Sequence, residues 1–249
     1  MEPVADTMPI GELLDERRHL LEVAHWMLGD GALAEYVTDE AYREWYRLSE
    51  HQQGRVGAPR AWLTRAVGSI ALAQLGLSEH EIQRAPQGAV RSRAVFDPCL
   101  EDALRALPAP SSRARHSLRD RTARPAPPRA QDEAVEAVRQ ACVEQDADRL
   151  AGLLDPGAVA FYDGGGKVRA LTRPVVGGPR VARSLLTLLA RNPRTTLHTR
   201  SVNGRTGLVA RYEGRVAAVV CLDLAGSRVV QVWAVLNPDK LRSWNFPRV

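Results

Sequence analysis

The sequence predicts a helical N-terminal domain that is followed, after a linker, by a domain of mixed α and β structure. Three observations carry this prediction. Helical periodicity extends to about residue 76, the next fifty residues are rich in Arg and Pro, and β-branched segments separated by glycine turns fill the end of the chain. We place the boundaries of the three parts at 1–76, 77–130 and 131–249.

The first domain is predicted to contain three helices. An apolar stripe at helical spacing marks the first, with members Leu20, Val23, Ala24 and Met27. Gly29 ends that helix, and a second runs from about residue 32 to residue 48. The third begins at Pro59, a favourable first helical position, and Gly76 follows its end.

The second domain is predicted to pack helices on an antiparallel meander. Apolar helix faces are indicated at 134–142, at 150–154 and after Gly178-Pro179, with a short strand at 159–162. Strands are indicated near 195–202, 206–212, 215–224 and 228–236. Asn203-Gly204 is a strong signal for the hairpin turn between the first two of these strands.

Composition is that of an ordinary soluble protein, with 45% hydrophobic and 25% charged residues in 249. The first ten residues carry acids and Pro where a secretory signal would carry basic residues, so a cytoplasmic location is expected. Cys99, Cys142 and Cys221 are far apart and odd in number, which indicates neither a disulfide framework nor a metal site. We therefore expect no metal and no cofactor.

The net charge of +5 is unevenly distributed. Residues 1–83 hold 7 Arg and 14 acidic residues, whereas 84–129 and 130–249 each carry a net charge of +6. An acidic first domain is a poor electrostatic partner for DNA and a suitable partner for a basic protein surface.

Two short motifs of the second domain indicate a family. The first consists of Asp163, Gly164, Gly165, Gly166 and Lys167, and the second of Asn237, Pro238, Asp239, Lys240 and Leu241. In order and separation they resemble the C-terminal domain of extracytoplasmic-function (ECF) sigma factors that carry a SnoaL-like domain. Segments 20–29 and 59–65 resemble region 2 of those factors. The resemblance implies that the second domain is a cone, with helices packed into a curved antiparallel sheet.

Region 2 of that family binds core RNA polymerase through its second helix. The resemblance implies this role for Glu35, Asp39 and Glu40, although Tyr36 stands where an Asp is usual and Asp39 where a Gln is usual. The acidic character of the helix is thus kept, while its hydrogen-bonding pattern is changed. The alternative is that these acids only form a solvated helix face.

The parts of a sigma factor that read DNA are less complete in this sequence than the part that binds polymerase. The third helix lacks the usual run of Arg at its end, leaving Arg60, Trp62 and Arg65 for weak contact with nucleic acid; Trp62 also fits a core position. Segments 95–107 and 112–119 resemble pieces of the region 4 helix-turn-helix, but Pro108 and Pro110 separate them. We expect only weak promoter contact, in which the basic residues of this linker, Arg113, Arg115 and Arg119, also take part.

In the family both motifs face the sigma portion and tune its activity. The resemblance therefore implies an interdomain role for the ten motif residues, and the acidic first domain favours Lys167 and Lys240 as the bridging members. The alternative is local turn chemistry, in which Asp and Asn side chains cap backbone N–H groups.

A cone of this kind can also enclose a pocket for an unknown small ligand. Candidate residues for the pocket are Tyr162, His198, Asp223 and Trp233, although no paired acid and base stands out. The first hypothesis is an ECF sigma-factor-like regulator of transcription initiation that binds core RNA polymerase, is not an enzyme, and carries the SnoaL-like domain as its regulator. The alternative is a ligand-binding or enzymatic SnoaL-like domain with a vestigial sigma appendage.

Overall fold

A computed structural model describes residues 7–76 and 128–245, along which the elements are numbered. The eight helices of these ranges are α1 Ile10–Leu28, α2 Gly31–Arg47, α3 Glu50–Arg55, α4 Pro59–Gln74, α5 Pro128–Glu144, α6 Ala147–Leu153, α7 Gly178–Leu188 and α8 Pro238–Asn245. The strands are β1 Leu154–Asp163, β2 Val175–Val176, β3 Thr195–Val202, β4 Arg205–Tyr212, β5 Arg215–Ala225 and β6 Arg228–Val235. The segments 95–107 and 112–119, with the linker arginines, lie outside the described residues.

Helices α1, α2 and α4 pack on one another and form the first domain. Their shared core is apolar and almost fully buried, and its large members are Leu20, Val37, Tyr42, Trp45, Leu63 and Val67. Gly29 ends α1 in the left-handed conformation, with φ of 67°, and Pro59 opens α4, as the sequence predicts. The short helix α3 was not expected; a capping box between Ser49 and Gln52 stabilises its first turn.

The second domain is built on a six-stranded sheet in the order β2-β1-β6-β5-β4-β3. All neighbouring strands are antiparallel except β1 and β6, which run parallel. In the chain these two strands are separated by β2, α7 and the strands β3–β5. Asn203 and Gly204 both have positive φ, 52° and 79°, as a type I′ hairpin turn requires. The predicted fold class is confirmed, with this one parallel pair as a difference.

Strand β1 is longer than the sequence indicates. It begins at Leu154, whereas the periodicity marked only 159–162. The pairing with β6 is irregular between Leu154 and Val159, where Pro156 and Gly157 lie. Pro and Gly at this irregularity hide the first half of the strand from a pattern-based prediction.

The core of the second domain lies between the inner face of the sheet and helices α5, α6 and α7. Ile10 and Leu13 from the first turns of α1 are buried in the same cluster, each only 2% exposed. Helix α1 therefore contributes to the cores of both domains. As a result, residues 7–76 and 128–245 belong to one compact unit.

Helix α8 covers part of the outer face of the sheet. Leu241 of α8 is buried there with side chains of β3, β4 and β5, namely Val202, Val209, Val216 and Val219. This packing fixes α8, and the motif residues at its start, against the sheet. Among the described helices, none has the length and apolar character needed to cross a membrane.

Candidate interdomain site

The glycine-rich motif forms a tight loop directly after β1. The Asp163 side chain accepts a hydrogen bond from the N–H of Gly165 at 3.0 Å, and the N–H of Lys167 donates to the carbonyl of Gly164 at 3.0 Å. Gly165 and Gly166 both have positive φ, 60° and 68°, which side chains adopt only with strain. The loop turns the chain so that Lys167 points away from the strand toward α2.

The second motif forms the start of α8. Asn237 follows β6, and its side-chain oxygen accepts a hydrogen bond from the N–H of Asp239 at 3.0 Å. Pro238 occupies the first position of the helix, where its missing N–H costs nothing. Local turn chemistry therefore explains Asn237 and Pro238, but not the contacts of the charged residues that follow.

The two motifs contact each other. A Cβ atom built on Gly165 would lie 2.1 Å from the amide nitrogen of Asn237, so only glycine fits at this position. The ammonium of Lys240 lies 2.6 Å from Asp163. Lys240 thus pairs within the second domain, instead of with the first domain as the sequence suggested.

Lys167 does bridge the domains. Its ammonium lies 2.6 Å from Asp39 of α2 and 2.8 Å from Asp239 of α8. Arg17 of α1 binds the other oxygen of Asp39 at 3.0 Å and also donates to the Lys167 carbonyl at 2.9 Å. The Asp39 side chain is only 14% exposed as a result.

The electrostatics of this cluster favour its charged state. Burial lowers the pKa of Lys167, but the hydrogen bonds to Asp239 and Asp39 outweigh burial and hold that pKa above its ordinary value. The hydrogen bond from Lys167 holds the pKa of Asp239 below its usual range. Both partners therefore stay ionised, which is what a bridging ion pair requires.

A second ion pair crosses the interface more deeply. Arg169 binds both carboxylate oxygens of Glu16, at 2.7 to 3.0 Å, and Glu16 is only 2% exposed. The Tyr42 hydroxyl donates to the same carboxylate at 3.3 Å. The guanidinium also lies over the Trp45 ring, 5.7 Å from its centroid. A buried carboxylate with this bidentate partner and a further donor is well satisfied.

Backbone atoms next to Arg169, in Val168 and Ala170, form further hydrogen bonds with the first domain. The Tyr46 hydroxyl donates to the carbonyl of Val168 at 2.5 Å and accepts from the N–H of Ala170 at 3.0 Å. Burial raises the pKa of Tyr46 to about 12, so the hydroxyl remains a donor at neutral pH. Residues 167–170, which we call the bridging segment, thus touch α1 or α2 at every position.

A separate set of contacts joins α1 to the β4–β5 turn. Asp15 accepts hydrogen bonds from Tyr212 at 2.8 Å and from Arg194 at 3.1 Å. Arg18 lies 2.7 Å from Glu213. Gly11 lies against the Tyr212 ring, since a Cβ atom there would be 3.0 Å from it. These pairs are half exposed and screened by solvent, so they add less than the buried pairs.

The three acids that the sequence assigned to polymerase binding all lie on α2 and all have basic partners. Asp39 is held as described above. Glu35 lies 3.6 Å from Arg242 of α8, and Glu40 pairs with Arg43 and Arg47 on its own helix. Two of the three therefore face the second domain.

Of the residues assigned to nucleic-acid contact, Arg60, Trp62 and Arg65 lie on α4, and the three linker arginines lie outside the described residues. Arg60 and Arg65 are exposed. Trp62 is half-buried and meets Trp45 edge to face, with ring centroids 5.4 Å apart. Trp62 therefore packs against the core of the first domain, and its stacking face is partly used.

The four pocket candidates do not converge. Tyr162 points into the core, where its hydroxyl shares a 2.5 Å hydrogen bond with Ser184 and burial raises its pKa to about 12. His198, Asp223 and Trp233 lie on the opposite face of the sheet. Trp233 stacks on Phe161 there, and Asp223 lies 3.6 Å from Arg205. Within the described residues, no group of His, Cys, Asp and Glu could hold a metal ion.

Sequence reasoning missed Glu16, Arg17 and Arg169. A signal existed for the first two, because they fall between Leu13 and Leu20 on the apolar face of α1. Charged residues on a buried face need partners, and such partners are often distant in sequence. No comparable signal marked Arg169, which lies in an irregular segment.

No protein-family model matches the chain. The chain is 26% identical to the ECF RNA polymerase sigma factor SigJ of Mycobacterium tuberculosis, over 94% of this chain and 93% of that protein. The crystal structure of the same sigma factor matches 93% of this chain and 97% of that one, at 23% identity and a TM-score of 0.39. An NTF2-like protein of unknown function from Burkholderia xenovorans matches 49% of this chain and 96% of its own, at 20% identity and a TM-score of 0.34.

The similarity to SigJ spans both domains, and it agrees with the two motifs of the second domain and with the helical segments of the first. This agreement favours the hypothesis of a sigma-factor-like transcription regulator over that of an enzymatic domain with a vestigial appendage, since the relative is named a sigma factor. The chain is thus similar, over nearly its whole length, to an ECF RNA polymerase sigma factor.

Proposed function

We propose that this protein regulates transcription initiation by binding core RNA polymerase through the acids of α2, and that its SnoaL-like domain controls access to those acids. The observation that carries the proposal is the position of Asp39. Its carboxylate is bound by Arg17 and by Lys167 of the SnoaL-like domain, and its side chain is only 14% exposed. A group held in this way is not free to meet a second protein.

The competition is between two basic partners for the same acids. Polymerase would have to replace Lys167 at Asp39 and Arg242 at Glu35. Lys167 belongs to the bridging segment, and Arg242 lies in α8, directly after the second motif. The docked form is then the low-affinity form. Loosening the docking raises the fraction of molecules that can bind, and the apparent affinity rises with that fraction.

Promoter contact is the weaker part of the proposed function. On α4 the exposed cations Arg60 and Arg65 can meet phosphates, while Trp62 is largely occupied by Trp45. We propose that the protein contacts DNA weakly and without strong sequence preference. This contact is lost as salt rises, because counterion release is its main source of free energy.

The enzymatic alternative has less support. Tyr162 is engaged with Ser184 inside the core, and the other three pocket candidates lie on the far side of the sheet. An acid and a base that act together must reach one substrate atom from the same cavity. The placement of these side chains offers no such pair.

The proposal is tested by size-exclusion chromatography of the full chain with purified core RNA polymerase. We expect co-elution at micromolar concentration, and weaker co-elution of the Glu35→Gln, Glu40→Gln double variant. The matched control is Glu133→Gln, Glu136→Gln, which removes two exposed acids from α5 of the other domain. Failure of every form to co-elute, or equal loss with the control, would contradict the proposal.

A further inference from the structure

A cavity of about 530 Å³ lies between α1 and the SnoaL-like domain. One wall is the outward side of α1, including Leu14 and Leu21. The other consists of the beginning of β5 and the first turns of α8. The cavity therefore has walls from both domains and is separate from the interior of the cone.

The charges around this cavity do not balance. Its lining contains the four arginines Arg17, Arg18, Arg215 and Arg242, and the three carboxylates Glu35, Glu213 and Asp239. Every carboxylate is already neutralised: Glu213 by Arg18, Asp239 by Lys167, and Glu35 by Arg242. Arg215, in contrast, is exposed to solvent and forms no ion pair with any residue of 7–76 or 128–245.

Most of the rest of the lining is apolar, and its amide side chain, Asn245, is already hydrogen-bonded to the backbone of Val216. Leu14, Leu21, Val216, Ala217, Leu236 and Leu241 contribute side chains to it. A cavity with an apolar floor and one uncompensated cation suits a ligand with an apolar body and an anionic head. Arg is also the residue that binds carboxylates and related planar or tetrahedral anions with two parallel hydrogen bonds.

We propose that this interdomain cavity binds a small organic anion, with its carboxylate or sulfonate on Arg215 and its apolar body against Leu14, Leu21 and Leu236. The volume admits a body of about six to eight carbon atoms together with the charged head, which is in the usual size range of small-ligand cavities.

Because both domains line the cavity, binding of the ligand is coupled to the docking of the domains. The cavity loses one wall when the domains separate, so the ligand binds the docked form better than the open form. A ligand that prefers one form shifts the equilibrium toward it. Resting on the function proposed above, we infer that the anion holds the protein in the form that binds polymerase weakly.

Binding itself is tested without polymerase. Octanoate, benzoate and hexanesulfonate are added at millimolar concentration to the full chain, and the unfolding midpoint is measured, with 1-octanol as the uncharged control. We expect at least one anion to raise the midpoint by about 2 °C or more, as mass action requires for a ligand of the folded state. Arg215→Gln should abolish the rise, whereas Arg228→Gln, which removes an exposed arginine at the start of β6 and outside the cavity lining, should keep it.

The inference would be overturned if none of the three anions raised the unfolding midpoint. It would also be overturned if the midpoint rose equally in Arg215→Gln or with 1-octanol. The regulatory sign is then tested with the anion that binds, in a titration of core polymerase. We expect about a threefold or greater loss of polymerase affinity in the wild type and none in Arg215→Gln. Anion binding without this loss would overturn the regulatory sign, whereas absence of polymerase binding in every form would contradict only the proposed function.

Discussion

Lys167 places its ammonium 2.6 Å from the carboxylate of Asp39, and so joins the glycine-rich motif of one domain to helix α2 of the other. The same ammonium lies 2.8 Å from Asp239 in the second motif. One lysine therefore connects both motifs to α2. This relationship supports the interdomain role proposed for the motifs, beside the turn chemistry of Asn237 and the glycines.

Replacing Lys167 should loosen the docking. Lys167→Gln removes two charge-assisted hydrogen bonds from a cluster that is mostly buried, and such bonds contribute about 1.5–3 kcal/mol. Lys240→Gln is the matched control, because Lys240 pairs with Asp163 within one domain and is 62% exposed. Small-angle scattering should show a larger radius of gyration for Lys167→Gln alone. An increase of the same size in Lys240→Gln would show that the bridge is not specific.

The pair of Glu16 and Arg169 should matter for folding itself. Arg169→Gln leaves a carboxylate that is 2% exposed without its bidentate partner, and breaking a buried pair in this way costs about 3–5 kcal/mol. Arg173→Gln is the control, because its pair with Glu50 is exposed and contributes less than about 1 kcal/mol. Urea unfolding of both variants measures the difference. Equal stabilities would contradict the buried role of Arg169.

Alanine substitutions at two glycines of the loop 163–167 test the contact between the two motifs. Gly165 and Gly166 have similar positive φ, so alanine costs about 1–2 kcal/mol of backbone strain at either position. Only at Gly165 does the added methyl group meet another residue, at 2.1 Å from Asn237. Gly165→Ala should therefore lower the free energy of unfolding more than Gly166→Ala, and should alone displace α8. Equal effects would mean that the loop tolerates separation of the motifs.

The docking should weaken in alkali and stay constant near neutrality. The pKa of Tyr46 is raised to about 12, so its contribution is fully present below about pH 10 and declines as pH rises toward about 12. The pKa of Lys167 is also raised, so its contribution is likewise lost only in alkali. Asp239 has a lowered pKa, so its contribution is lost only as pH falls below about 4.

Tyr46→Phe isolates one of these groups. The variant lacks the hydroxyl that donates to Val168, so ionisation of that hydroxyl cannot lower its stability in alkali. The free energy of unfolding should fall between pH 8 and pH 11 by a larger amount in the wild type than in Tyr46→Phe. An identical fall in the two proteins would show that folding does not raise the pKa of Tyr46, and so that its hydroxyl does not stabilise the docking.

Much of the fold follows from local patterns in the sequence. The meander strands begin and end within one residue of the predicted positions, because Asn203-Gly204 and the later glycine turns fix them. Helix α3 and the first half of β1 were missed, since a short helix depends on its Ser49 cap and the strand is interrupted by Pro156. Neither feature produces a periodic apolar pattern.

The interdomain site was predictable only in part. The motifs and the resemblance pointed to Lys167, but they also pointed to Lys240, and only tertiary packing decides which lysine reaches α2. The partners Glu16 and Arg169 are 153 residues apart, and no local rule relates them. The same packing places Asp39, the expected polymerase contact, at the centre of an intramolecular cluster.

The most direct test of the account is a titration of core RNA polymerase with labelled full-length wild type, Lys167→Gln and Lys240→Gln. If docking withholds Asp39 and Glu35 from polymerase, Lys167→Gln should bind more tightly, by up to about tenfold for 1.4 kcal/mol of lost docking. Lys240→Gln should stay within about twofold of the wild type. An affinity of Lys167→Gln that is unchanged or weaker than the wild type would contradict the claim that the SnoaL-like domain restrains the polymerase-binding helix.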